Sequence, residues 1–173
     1  TNVAGLGAQV AAVHDVKVDA ARNLAAEGKL VAALDVNVDG LKETAEGHDG
    51  ILTIPTDVTD LSSVESAVKR CEQELGPIDR VYNAAAIMPT GLLLDQDVSI
   101  IQKIMDINYG GVVNVTKFAL PGMLDRGRGD FINFASMAGW MPILYLGAYN
   151  ASKFAVVAFS EVLYHENRNK GVR

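Results

Sequence analysis

Apolar residues along this chain fall into short continuous runs, and between those runs they recur every three or four positions. The alternation of the two patterns predicts strands each followed by a helix, the arrangement of a parallel sheet covered by helices. A buried strand ending in an acid is expected over residues 29–35, after a helix that includes 20–27 and stops at Gly28. Residues 38–45 read as a helix, 50–56 as a strand, and 62–75 as an amphipathic helix closed by Gly76 and Pro77. A strand over 78–83 leads into a small-residue loop, 84–94. One long helix is then expected from about 99 to 124, ending among Arg126, Gly127, Arg128 and Gly129. A strand over 130–135 ends just before Ser136, and a last helix runs from about 148 to 167. No solenoid period interrupts this order.

Composition narrows the class. The 173 residues suit one domain spanning 1–173, and 49% hydrophobic with 21% charged residues is an ordinary globular balance. A net charge of −6 without a basic patch argues against nucleic acid as partner. No apolar run of ~18 residues and no basic-then-apolar leader stands in the sequence, so neither a membrane span nor a signal peptide is expected. Cys71 is the single cysteine, and no Cys/His cluster has metal-ligand spacing; a reducing, cytoplasmic setting is expected. His14, His48 and His165 are scattered and read as surface or structural residues.

Candidate chemistry centres on Tyr149 and Lys153, with Ser136 thirteen residues before the tyrosine. Positions i and i+4 share a helix face, so the ammonium of Lys153 can lie within a turn of the phenol. A cation there favours phenolate, which matters because an ordinary tyrosine, with a pKa near ~10, is a poor acid-base group at neutral pH. Taken alone, the pair is equally the solvated face of a helix. Ser136 alone could be a strand-end serine, Asn108 a helix-interior asparagine, Asn83 a turn former, and Asp57 a helix cap.

Together, in order and spacing, these segments resemble the short-chain dehydrogenase/reductase family from about Gly28 to Arg173. Asn133-Phe134-Ala135-Ser136-Met137-Ala138-Gly139 is similar to its serine loop, and Tyr149-Asn150-Ala151-Ser152-Lys153 to its catalytic helix. Asp106-Ile107-Asn108-Tyr109-Gly110 matches the segment that supplies a fourth catalytic residue, here Asn108. Asn83-Ala84-Ala85-Ala86 resembles the turn beneath the cofactor, with alanine in place of the last glycine, and Asp57-Val58 the pair that contacts adenine. The resemblance implies a Rossmann-like doubly wound parallel sheet flanked by helices, with the C-terminal strands and substrate lid missing from this chain. It also implies hydride exchange between a nicotinamide cofactor and an alcohol or ketone.

In that chemistry a ketone oxygen gains negative charge as hydride reaches carbon and needs a hydrogen-bond donor and a proton. Ser136 can supply the first and Tyr149 the second. By the resemblance, Lys153 would also bond the nicotinamide ribose, and Asn108 would hold a water linking Lys153 to solvent. Asp35 ends its strand where a carboxylate accepts from the adenosine ribose hydroxyls and repels a 2′-phosphate, so NAD(H) is preferred over NADP(H). Asp35 could instead simply cap the following turn. Met88, Trp140, Met141, Ile143 and Leu144 lie near the site in sequence and point to an apolar substrate. The family resemblance further implies a homodimer or homotetramer through the two long helices.

The chain departs from the family at its phosphate loop. Spacing places residues 10–17, which lack glycine, over the expected glycine-rich turn, and Asp15 would face phosphate with a negative charge. Gly5 and Gly7 are the glycines available for the cofactor's pyrophosphate, about eight residues farther from Asp35 than the family's spacing. A displaced but working loop, a chain that no longer binds cofactor, and an uncertain N-terminal sequence all fit. The second of these would make the domain a non-catalytic binding or assembly module. A related lyase or epimerase using the same tyrosine and lysine is a third reading.

Overall fold

The computed structural model of the chain describes residues 18–173. Gly5, Gly7 and Asp15, on which the phosphate-loop expectation rests, lie outside them. Two compact units are divided between Thr56 and Asp57.

In the first unit, helix α1 (residues 18–26) ends at Gly28. Gly28 takes φ +76°, a conformation that costs glycine little, and the Lys29 amide closes the helix end on the Leu24 carbonyl at 3.0 Å. Strand β1 (Val31–Asp35) and strand β2 (Ile51–Pro55) pair in parallel, Val31 opposite Ile51 and Asp35 opposite Pro55. Between them runs α2 (Val38–Ala45), started by Asn37, whose side chain accepts from the Gly40 amide at 3.1 Å. Among the described residues of this unit, Leu41 of α2 and Ile51 and Ile54 of β2 are the buried apolar ones. The predicted helix over 38–45 and the two strands are all present.

The second unit repeats the scheme at larger scale. Helix α3 (Leu61–Leu75) is capped by Asp60, whose carboxylate accepts from the Ser62 and Ser63 amides. Strand β3 (Arg80–Asn83) and strand β4 (Asp130–Asn133) pair in parallel, Arg80 opposite Asp130 and Asn83 opposite Asn133. Between them, the expected single long helix is three segments: α4 (Val98–Met105), a π-helical turn (Asp106–Gly110) and α5 (Gly111–Arg126). A 3₁₀ turn (Met137–Gly139) follows β4, and α6 (Gly147–Asn167) closes the order.

Val64 and Val68, one helical turn apart on α3, meet Ala119 of α5, with Ile78, Val81, Val115, Phe118 and Phe131 around them. A second cluster joins Leu120 and Met123 to Val172 and Leu163. Full burial of a side chain such as Val64 or Met123 is worth roughly 1.5–3 kcal/mol, so these clusters anchor α3 and α5 to the strand pair.

Candidate active site

Because β3 and β4 run parallel and end opposite one another at Asn83 and Asn133, the loops leaving them begin side by side. This carboxyl edge is where parallel α/β sheets receive ligands. Asn83 is buried, and its side-chain amide donates to Asn133 Oδ1 at 2.9 Å; Asn133 in turn donates to Ser160 Oγ of α6 at 2.8 Å. Ala84 and Ala85 follow directly, with no side chain beyond Cβ to obstruct approach to the backbone.

Tyr149 and Lys153 both sit in the first two turns of α6. Tyr149 is half-buried, while Lys153 is only 3% exposed. Its Nζ donates to the Phe134 carbonyl at 2.7 Å and lies 5.7 Å from the centroid of the Tyr149 ring. An ammonium this buried is costly without hydrogen bonds, and the carbonyl just beyond β4 supplies one. The lysine thus ties the tyrosine helix to the strand end that carries the serine loop.

Ser136 starts the 3₁₀ turn, its Oγ accepting from the Ala138 amide at 3.1 Å. Accepting there leaves the hydroxyl proton available for donation elsewhere. The turn reaches α6 because of Gly139: a Cβ on that residue would stand 2.8 Å from the Lys153 carbonyl oxygen, closer than such atoms approach. The sequence Ser136-Met137-Ala138-Gly139 therefore seats the 3₁₀ turn that Ser136 starts against the helix that bears Tyr149 and Lys153.

Asn108 lies in the π-helical turn and is 0% exposed. Its Oδ1 accepts from the Ile87 amide at 2.8 Å, and its Nδ2 donates to the Ile87 carbonyl at 2.9 Å and to Ser152 Oγ at 3.0 Å. Ser152 Oγ donates onward to the Tyr149 carbonyl at 2.8 Å. Both amide hydrogens of Asn108 are thereby engaged in fastening the loop after β3 to α6. Edge-to-face packing of Tyr109 on Phe159, 5.9 Å between centroids, adds a second tie between the π-turn and α6.

The remaining expected residues stand as follows. Asp57 caps a local turn through Thr59, at 2.9 Å to its amide and 2.7 Å to its hydroxyl, while Asp60 is the helix cap. Val58 accepts from Asn114 Nδ2 at 2.8 Å and packs on Gly111. In the first unit, Asp35 is exposed at the end of β1 with one oxygen accepting from the Asn37 amide at 2.9 Å. Sequence reasoning passed over Ser152, although a serine three residues after the tyrosine can bond back to its carbonyl. A surface concavity along α2, bordered by Asn37, Asp39, Lys42 and Glu43, contains none of the catalytic candidates. Among the described residues no helix is long and apolar enough to cross a membrane, and no cluster of His, Cys, Asp or Glu is placed to hold a metal.

Parallel strand pairs, each joined by a helical crossover, make the fold a Rossmann-like α/β architecture. The short chain dehydrogenase family model matches residues 17–173, and the chain belongs to that family. It is 34% identical over 169 residues to the 2-dehydro-3-deoxy-L-rhamnonate dehydrogenase (NAD(+)) of a Sphingomonas species, covering 97% of this chain and 64% of that enzyme. It is also 34% identical over 173 residues to glycine betaine reductase ATRR of Emericella nidulans, covering 98% of this chain and 13% of that protein. Among solved structures, apo LigO from a Sphingobium species superposes with a TM-score of 0.79 at 27% identity, over 83% of this chain and 55% of that one. The chain therefore spans under two thirds of the length of each of these relatives.

Proposed function

We propose that this chain is the cofactor and acid-base portion of an NAD(H)-dependent alcohol dehydrogenase or carbonyl reductase. The observation that carries the reading is the buried Lys153 ammonium, held at 2.7 Å by the Phe134 carbonyl and set beside the Tyr149 ring on one helix face. A solvated helix face would not bury its lysine. Membership of a family of NAD(P)-using oxidoreductases supports the same reading.

The residues at the carboxyl edge fit a nicotinamide cofactor: a buried lysine beside the tyrosine ring, the short side chains of Ala84 and Ala85, and a strand-end asparagine. Lys153, Asn83, Ala84 and Ala85 would hold the cofactor, with Tyr149 alongside. Asp57 and Val58 would meet the adenine. When bound, the cofactor supplies or accepts the hydride. Ser136 donates its free hydroxyl proton to the substrate oxygen, and Tyr149 gives that oxygen a proton in reduction or takes one in oxidation. Lys153 stabilises the phenol oxygen while it is charged. Asn108 holds the tyrosine helix and the loop after β3 in register, with the water-binding role as a further part of the reading. Asp35 has a carboxylate oxygen available at the end of β1 to accept from ribose hydroxyls, which favours NAD(H) over NADP(H).

Trp140, 68% exposed, stands with Met141, Ile143 and Leu144 in the loop that leads to Tyr149, all with open apolar surface. An apolar alcohol or ketone is the substrate class that such a wall favours. Exposed Phe154, Val162 and Tyr164 on α6 suit a homodimer or homotetramer contact.

The test is a fluorescence titration of NADH and NADPH against the protein. NADH is expected to bind more tightly than NADPH, because the Asp35 carboxylate would repel a 2′-phosphate. Binding of neither cofactor would remove the oxidoreductase reading and leave a non-catalytic domain.

A further inference from the structure

Ser152 is completely buried, yet it carries a hydroxyl, and both functions of that hydroxyl are in use. It accepts from Asn108 Nδ2 at 3.0 Å and donates to the Tyr149 carbonyl at 2.8 Å. Asn108 is fixed at its other side by the amide and carbonyl of Ile87, at 2.8 and 2.9 Å. An unbroken chain of hydrogen bonds thus runs from the loop after β3, through the π-helical turn, to the backbone of Tyr149. Each member is oriented by its neighbours, and a partly satisfied version would leave a buried amide hydrogen unpaired.

We infer that Ser152 is a positioning residue that sets where the first turn of α6, and with it the Tyr149 phenol, stands relative to the β3–α4 loop. The inference rests on the acid-base reading of Tyr149. Serine suits the post because its hydroxyl can bond back to the carbonyl three residues earlier while accepting from outside the helix. Alanine keeps the helix but severs the link; threonine keeps the hydroxyl and adds one methyl. A second serine on the same helix shows the same device at a different strand: Ser160 accepts from Asn133 and donates to the Val156 carbonyl at 2.7 Å. Two amide-to-serine links therefore fix α6 along its length, and only the first ends on the catalytic residue.

The experiment compares Ser152→Ala and Ser152→Thr with the parent protein by amide hydrogen exchange at Ile87, NADH titration, and steady-state turnover of a ketone found by screening. In Ser152→Ala, exchange at Ile87 is expected to quicken and kcat to fall on the order of tenfold to a hundredfold, as misplacement of a reacting group does, with NADH affinity and KM changed less than about twofold. Ser152→Thr should recover both exchange protection and kcat. Should Ser152→Ala fail to fold, Ser152→Cys, which keeps a weak donor of similar size, carries the same comparison. Unchanged exchange at Ile87 overturns the link, and quickened exchange with unchanged kcat overturns the positioning role. A parent protein that binds no NADH overturns the catalytic reading instead, and the exchange data still decide whether the link exists.

Discussion

Tyr149 offers the sharpest substitution, because phenylalanine removes one oxygen and keeps the ring against which Lys153 is placed at 5.7 Å. Loss of a positioned acid-base group costs roughly 10²–10⁴-fold in turnover, so Tyr149→Phe should lower kcat by that factor while the NADH titration stays within about twofold of the parent. Turnover that survives the change would take Tyr149 out of the mechanism. At this scale the sequence was informative where spacing alone places atoms: four residues on a helix set Tyr149 beside Lys153. It was uninformative about partners. Asn108 meets Ile87 and Ser152, residues 21 and 44 positions away, and nothing local to Asn108 encodes those bonds. Lys153 finds the Phe134 carbonyl for the same reason, through the packing of the 3₁₀ turn on α6 rather than through any pattern in either segment.

Among the elements, those with their own stop signals were legible. Helix α2 matches its expected bounds, and α3 and α6 differ from theirs by one residue at the start. One helix is expected from about 99 to 124 because the apolar period continues on both sides of the π-turn. The turn itself answers to tertiary contacts at Asn108 and Tyr109, which local periodicity does not contain. Two glycines on α5 now separate local propensity from packing. A Cβ at Gly111 would stand 2.7 Å from Val58 Cγ2, whereas one at Gly122 meets only the ends of Glu72 and Arg126, at 3.2 and 3.3 Å. Alanine gains about 0.5–1 kcal/mol over glycine inside a helix, and overpacking costs typically 1–3 kcal/mol. Gly111→Ala should therefore lower the thermal midpoint and Gly122→Ala should hold or raise it. Equal shifts of the same sign, measured by calorimetry, would mean that the approach to Val58 relaxes at no cost.

Stability of the second unit as a whole can be read from a single thiol. Cys71 lies on α3, 6% exposed, one turn beyond Val68 of the packed cluster. Burial pushes its thiol up to about 11, since the thiolate is poorly solvated there, and the nearby Arg70 charge offsets this only in part. In the unfolded chain the same thiol ionises near ~8.5. Below that pH both states hold the proton and Cys71 contributes no pH dependence. Between the two values the unfolded state alone gives up its proton, so stability falls as pH rises, and the loss levels off above the folded value. Other groups titrate in this range as well, and Cys71→Ala isolates the contribution. Denaturant unfolding at pH 8 and pH 10.5 should show the stability difference between parent and Cys71→Ala shifting against the parent at the higher pH. A difference that stays constant between the two would mean that the thiol ionises alike folded and unfolded, and that α3 does not shield it from water. The same burial should make alkylation of Cys71 at pH 8 wait on unfolding, so that the labelling rate in increasing denaturant follows the opening of this unit.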